Sequence, residues 1–456
     1  MLKVSARSAR AGIALLCMSA AGLALALHSP GHLSVDSTIQ LHEANSGQID
    51  SWAPPFMSAL LAWLGSSSVA TALFVLLNTA ATYGAFWLSA RAQTASWPWW
   101  RLPLALLLIA NPVVFAYVGI VWKDVLLASL CVLALGLTVA ASRAETASVR
   151  IALAGLALMV LLPIPMVRQQ GVLLMPVFAL SPAILIAESA APDKRKWVLA
   201  GVAVAVVTGH LLLRMAVAAT FVQGPDGRDM SVGARIIRSY DLAGIQARTG
   251  ADGPLARAGA PVEVVTAVQH AYGGDRVDHL SANTAIGNYF SQIDDASLKA
   301  MWWDAIQHHP FAYARHRLSA FAWLLGLRDP QRCLPVLVGV DGIPEFLRES
   351  RLRAENDPRD DWLYEKYKRL FGAPLWQHWF YVLLLAITLV TAWCQGPRVR
   401  RLLLPWIVGL GLFVGAFLPT SIACDFRYLY LLIPCLTAIA LTLLVPSEQG
   451  QRPASD

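Results

Sequence analysis

The sequence predicts an all-α polytopic membrane protein of about ten transmembrane helices with one long hydrophilic region. Three observations carry that reading. Apolar residues make up 56% of the 456 positions and charged residues only 14%, against roughly 25% charged in an ordinary soluble domain. Mean hydropathy is +0.53. The apolar residues also fall in runs long enough to cross a hydrocarbon core of ~30 Å, and the short connectors between them differ strongly in charge. The net charge of +7 does not point to nucleic acid, because many cations sit in those connectors, where they report topology. No basic run is interleaved with aromatics.

The first element is "MLKVSARSARAGIALLCMSAAGLALAL". Its basic start and apolar stretch fit either a cleaved signal peptide or an uncleaved first span. Both place the following residues outside. Further spans are expected at about 68–90, 102–120, 124–142, 150–166, 170–188, 197–216, 378–394, 402–420 and 427–445. In that frame one set of short connectors carries fourteen Lys and Arg, from Lys3, Arg7 and Arg10 to Arg452. The opposite set carries only Lys123, Arg168 and Arg427. This is a strong positive-inside bias and puts both termini in the cytoplasm.

Residues 54–65, "PPFMSALLAWLG", break the frame if they are counted as a span. Twelve residues cover only ~18 Å. They are expected to lie along the outer interface, started by Pro54 and Pro55 and anchored by Trp52 and Trp63. Residues 217–377 form the one long hydrophilic region, and helical spacing in "DDASLKAMWWDAIQHHPFAYARHRLSAFAWLLGL" predicts a mostly helical extracytoplasmic domain. The chain thus divides into a seven-span core (1–216) with a first outer loop (28–67), the domain 217–377, and a three-span segment with a short cytoplasmic tail (378–456).

The residues suited to chemistry gather on the outer side. Three outer connectors, "GIVWKDV", "PMVRQQG" and "TSIACDFRYLY", each put one cation at the end of a span, where topology disfavours it. These are Lys123, Arg168 and Arg427, accompanied by Trp122, Asp124, Gln169, Asp425 and Tyr428. Cations concentrated at one interface suit a phosphate. The plainer reading is that each snorkels or pairs with a neighbour, as Lys123 with Asp124 or Asp425 with Arg427. The first outer loop holds Asp36, Glu43 and Asp50 and no Lys or Arg. A short helix would place Asp36, Gln40 and Glu43 on one face. Asp36 suits a general base at the mouth of a cavity, capable of taking a proton from a hydroxyl; alternatively Ser34 or Asp36 caps the helix. Glu43 and Asp50 read as a solvated face and a turn.

Cys17, Cys131, Cys394 and Cys435 lie in apolar runs, whereas Cys333 and Cys424 lie outside them and can pair if both face an oxidising compartment. With no C-x-x-C and no Cys/His cluster, a zinc site is not expected. His308, His309 and His316 are broken in register by Pro310, so a metal is not favoured there.

This layout resembles the GT-C superfamily of integral-membrane glycosyltransferases, which includes the lipid A aminoarabinose transferases and the protein O-mannosyltransferases. The resemblance covers the whole chain in topology but only short stretches in motif. "SVDSTIQ", "WKD", "VRQQG" and "DFRYLY" also look like stretches of bacterial membrane proteins placed near this superfamily. The resemblance implies inverting transfer of a sugar from a polyprenyl-phosphate donor to a glycan, lipid or protein acceptor at the periplasmic face of a bacterial inner membrane. Asp36 would be the general base, and Lys123, Arg168 and Arg427 would hold the donor phosphate. Many members carry a second acid beside the first; here Val35 and Ser37 flank Asp36, so a divalent metal is not favoured and no other cofactor is implied. Two other classes fit the layout less closely. An O-antigen ligase or polymerase with a lipid-pyrophosphate donor would act through Arg315, His316 and Arg317. A transporter would need polar residues and broken helices inside its spans.

Overall fold

The computed structural model describes residues 3–91, 97–98, 100–223, 231–354 and 357–445. Arg452, counted above among the cytoplasmic cations, lies outside the described residues. The chain is almost entirely helical. Its first twelve α-helices are α1 (Ala6–His28), α2 (Val35–Ser46), α3 (Phe56–Trp63), α4 (Ser68–Ala90), α5 (Arg101–Ile109), α6 (Pro112–Tyr117), α7 (Lys123–Ser142), α8 (Ala147–Leu161), α9 (Ile164–Val167), α10 (Gly171–Glu188), α11 (Arg195–Thr220) and α12 (Val232–Thr249). Later helices are named by their residues. Among the described residues strand structure is limited to two-residue pieces, including a parallel pair in which Gln48 and Ile49 meet Val222 and Gln223.

Among the described residues, eight helical stretches are long and apolar enough to cross a membrane: 7–28, 68–90, 123–142, 147–167, 171–188, 192–220, 397–416 and 426–444. This is a multi-pass membrane protein. The other two expected spans are shorter. Residues 101–117 are split where α5 ends, Asn111 caps α6 and Pro112 opens it, since proline lacks the N–H a continuous helix would need. His378–Cys394 has 17 residues, about 25 Å of helix.

The central helix is α7, with Leu, Val and Ala buried on every side. It packs on α4, α8 and Leu432–Leu444. Its crossing with α4 is close because Gly136 faces the Ala85 backbone, where an added Cβ would sit 2.8 Å away; small residues let membrane helices approach in this way. That crossing also carries uncharged polar side chains. Asn78, Thr79 and Thr82 of α4 are buried, and Thr82 meets Ser129 of α7 at 3.3 Å.

One end of the bundle carries the first loop and the 221–377 region, and is here termed the loop end. The first loop is stitched in by backbone. His32 and Leu33 bridge to Ile120 and to Val340 respectively, so the strap before α2 lies between two distant segments. His32 Nδ1 accepts the Gly339 N–H at 3.0 Å, which leaves its Nε2–H to donate to His28 Nδ1 at 2.8 Å. Burial holds His32 well below its ordinary pKa, with His28 and Arg359 adding to the effect. Neutral rings keep this donor–acceptor order.

The interfacial reading of residues 54–65 needs correction. Phe56, Met57, Ser58, Ala59 and Leu61 of α3 are buried against protein, because α2 and α4 pack over it. Trp63 alone of the expected anchors behaves as drawn: it is half exposed and donates to Thr220 Oγ1 at 3.2 Å.

The 217–377 region is helical as expected but divides in two. Residues of α12 and of the following helices up to Pro310–Leu324 enclose their own core around Tyr240, Leu242, Leu255, Val268 and Leu298. Residues from Val336 to Trp376 instead join the main bundle core. A Cys333–Cys424 disulfide ties this region to the connector before Leu432–Leu444. The bridged residues are separated by 91 positions, and loops of such length give a disulfide ~2–4 kcal/mol of stabilisation. The double variant Cys333→Ser/Cys424→Ser is therefore expected to unfold at lower temperature in detergent, with a loss of that size, and an unchanged midpoint would refute it.

Candidate functional site

The site is built where the first loop, the start of α7, the α9–α10 connector and the connector 417–431 meet at the loop end. Its geometry starts with the α2 N-terminus. Ser34 and Ser37 form a capping box, and Ser37 Oγ donates to the Val121 carbonyl at 2.6 Å while Trp122 Nε1 donates to Ser34 Oγ at 2.8 Å. These bonds set the first turn of α2 over the start of α7. The capping role falls to Ser34, which leaves the Asp36 side chain free to project from that turn, where a carboxylate is also favoured by the helix dipole.

Asp36 Oδ2 accepts from Arg427 NH1 at 2.6 Å, and its side chain is 52% exposed. Arg427 is otherwise enclosed: its guanidinium lies 4.9 Å from the Trp122 ring centroid and 3.5 Å from Asp425 Oδ2. Asp425 is pinned in turn by Arg276 at 2.7 Å. Burial raises the Asp36 carboxyl, but Arg427 and Lys123 together outweigh it and hold Asp36 below the usual carboxylate range.

The expected pairing of Lys123 with Asp124 is not formed. Successive residues in the first turn of a helix point about 100° apart, so Asp124 turns inward to an ion pair with Arg168. Lys123 lies over the Trp52 ring at 5.5 Å, within electrostatic reach of Asp36, Arg168 and Arg427. Among the described residues it has no carboxylate in ion-pair distance. Arg168 is held further by Gln170, which accepts from its Nε at 3.0 Å, and by the rings of Phe417 and Tyr428 at 5.2 and 5.1 Å. Among the described residues its second terminal nitrogen has no hydrogen-bond or ion-pair partner.

The expected site residues therefore separate. Asp36, Trp122, Lys123, Asp124, Arg168, Asp425, Arg427 and Tyr428 come together. Gln169 does not: it is exposed and lines a different cavity. Gln40 is buried beneath α2. The reading of Glu43 as a solvated face is overturned, because it is 1% exposed and serves the loop itself. Ser58 Oγ donates to it at 2.6 Å, and the backbone N–H groups of Asp50 and Ser51 donate at 3.3 and 2.8 Å. Arg276 was missed, since its link to Asp425 joins positions 149 apart and nothing local in "GGDRVDH" signals it.

Of the residues tied to the ligase reading, Arg315 is exposed but His316 and Arg317 are buried. Each meets Asp241, His316 through Nε2 at 3.1 Å and Arg317 through Nε at 2.6 Å, while Arg317 NH1 donates to the Ser421 carbonyl at 3.0 Å and Trp302 Nε1 to the Asp241 carboxylate at 2.8 Å. Tyr272 O–H then donates to His316 Nδ1 at 2.8 Å. Burial holds His316 below its ordinary pKa, although Asp241 opposes this. This buried network of ion pairs and hydrogen bonds holds the core of the domain together.

No family model matches this chain. No curated protein and no solved structure matches it either.

Proposed function

We propose that the chain is an inverting, ten-span membrane glycosyltransferase that moves a sugar from a polyprenyl-phosphate donor to a glycan, lipid or protein acceptor on the extracytoplasmic face of a bacterial inner membrane. The observation that carries the reading is the juxtaposition of a half-exposed carboxylate, Asp36, with Arg427 and the carboxylate-free Lys123. An open acid beside cations suits a reaction that removes a proton at one atom and leaves negative charge at another.

The acceptor hydroxyl gives its proton to Asp36 as its oxygen bonds to the anomeric carbon from the face opposite the phosphate. The bond from that carbon to the phosphate oxygen breaks, and its electron pair stays on the polyprenyl phosphate. Lys123, Arg427 and the remaining nitrogen of Arg168 stabilise that charge. A carboxylate clamped by arginine is a weak base. The donor phosphate competes for Arg427, and its arrival frees Asp36 to accept the proton. Tyr428 and Trp122 hold the guanidinium planes in register, and Asp124 and Asp425 orient Arg168 and Arg427.

The sidedness draws support from two independent features. The connector cations favour a cytoplasmic position for the opposite end of the bundle, and the Cys333–Cys424 disulfide at the loop end suits an oxidising compartment. The ligase reading gains nothing from His316 and Arg317, which are committed to Asp241. The test is alanine at Asp36 and, separately, at His316, with envelope glycans and lipids of the expressing cells compared by mass spectrometry. Loss of a glycoform with Asp36→Ala supports the transferase; a full complement with that variant sinks it.

A further inference from the structure

A second feature of the loop end stands apart from the candidate site. A cavity of about 590 Å³ opens between the first loop, the α9–α10 connector and α11. That volume falls within the ~300–1,000 Å³ of small-ligand sites. Its walls are apolar, from Pro54, Pro55, Met166 and Val217, with three polar side chains: Gln169, His210 and Arg214. Arg168 pairs with Asp124 in the candidate site, whereas the adjacent Gln169 lines this groove. The two sites are therefore neighbours with separate linings.

Arg214 is the unusual member. It lies six residues before the end of α11, about 9 Å along the helix from Thr220, the level at which Trp63 bonds. It is exposed, and among the described residues it has no carboxylate within ion-pair distance. His210, one turn deeper, donates its Nδ1–H to the Leu162 carbonyl at 2.8 Å, which leaves Nε2 as an acceptor. Of α11 only Val217 is buried, so the groove faces whatever surrounds the bundle, which for a membrane helix is lipid. A cation at a span end ordinarily snorkels to headgroups; Arg214 stands at such an end beside a partly open apolar groove.

We infer that this groove is a binding site for an anionic phospholipid, whose phosphate is held by Arg214 and Gln169 and one of whose chains fills the apolar cavity. Charge complementarity selects the occupant. Arg214 supplies one cation, and no acidic side chain lines the cavity to receive the ammonium of a zwitterionic headgroup. The inference does not depend on the transfer reaction proposed above.

The experiment reconstitutes the full chain in phosphatidylcholine vesicles doped with phosphatidylglycerol, re-extracts it and counts retained lipids by native mass spectrometry. The wild type is expected to retain phosphatidylglycerol over phosphatidylcholine. Arg214→Gln is expected to lower that retention about tenfold, the loss of one charge-assisted contact, while Arg214→Lys keeps most of it and shows that the fold tolerates change there. Asp36→Asn is expected to leave retention as in the wild type. Equal retention of the two lipids, or undiminished retention by Arg214→Gln, overturns the assignment. So does displacement of phosphatidylglycerol by added polyprenyl phosphate, which would hand the groove to a prenyl lipid.

Discussion

Asp36→Asn is expected to lower the rate of sugar transfer by about 10²–10⁴-fold, the span typical of a lost general base, while the chain stays folded. The Asp36 side chain is half exposed, so its removal opens no cavity, and Arg427 keeps Asp425 as a partner. Binding of the donor, followed through the Michaelis constant, is expected to change far less than turnover. A variant that binds and turns over normally would remove Asp36 from the mechanism.

The pH profile supplies a sharper test of the same residue. Asp36 is held below its ordinary range by Arg427 and Lys123 against the raising effect of burial, so it is ionised in the free protein down to unusually acidic solution. The acid limb of kcat/KM, which reports the free enzyme, should fall below the ~3.9 of an ordinary aspartate. Once donor phosphate draws Arg427 away, the carboxyl loses its largest stabilising charge and its pKa rises. The acid limb of kcat, which reports the donor-bound state, should therefore lie at higher pH than that of kcat/KM. Arg427→Gln should bring the two limbs together. Coincident limbs in the wild type would mean that phosphate does not compete for Arg427.

How far these features could be read in the sequence depends on whether they are local. Span positions follow from apolar run length, and among the described residues eight of the ten expected spans are long enough to cross a membrane, because hydrophobicity is summed along the chain. The convergence of Asp36, Lys123, Arg168 and Arg427 was legible because topology alone sends their connectors to one end. Their pairing was not. Lys123 and Asp124 are adjacent in sequence and looked like partners, yet one helical step parts them and Asp124 serves Arg168 across the bundle. Glu43 looked solvated because a polar helix face gives no sign of which residues it will cap, and its partners, the Asp50 and Ser51 N–H groups, become available only once the loop turns back. Arg214 was hidden inside an apolar run. A single cation near a span end barely lowers mean hydropathy, and its meaning comes from the cavity that the fold places beside it.

The Asp124–Arg168 pair permits structure and function to be separated. Both side chains are buried, 3% and 8% exposed. Asp124→Asn removes one partner and leaves a buried guanidinium uncompensated, a change that costs ~3–5 kcal/mol and should depress the unfolding temperature severely. Adding Arg168→Met removes the stranded charge. A hydrophobic replacement of a buried pair is often close to neutral, so the double variant should recover most of the lost stability. Its activity is expected to stay low, because the guanidinium proposed to meet the leaving phosphate is gone and methionine offers no donor in its place. Recovery of both stability and transfer would make Arg168 a structural counter-ion to Asp124 alone. Recovery of neither would show that the pair sets the α7–α10 geometry on which the cluster depends. The outcome that supports the phosphate role is the split one, stability restored and turnover not, read by thermal unfolding in detergent and by transfer in vesicles on the same preparations.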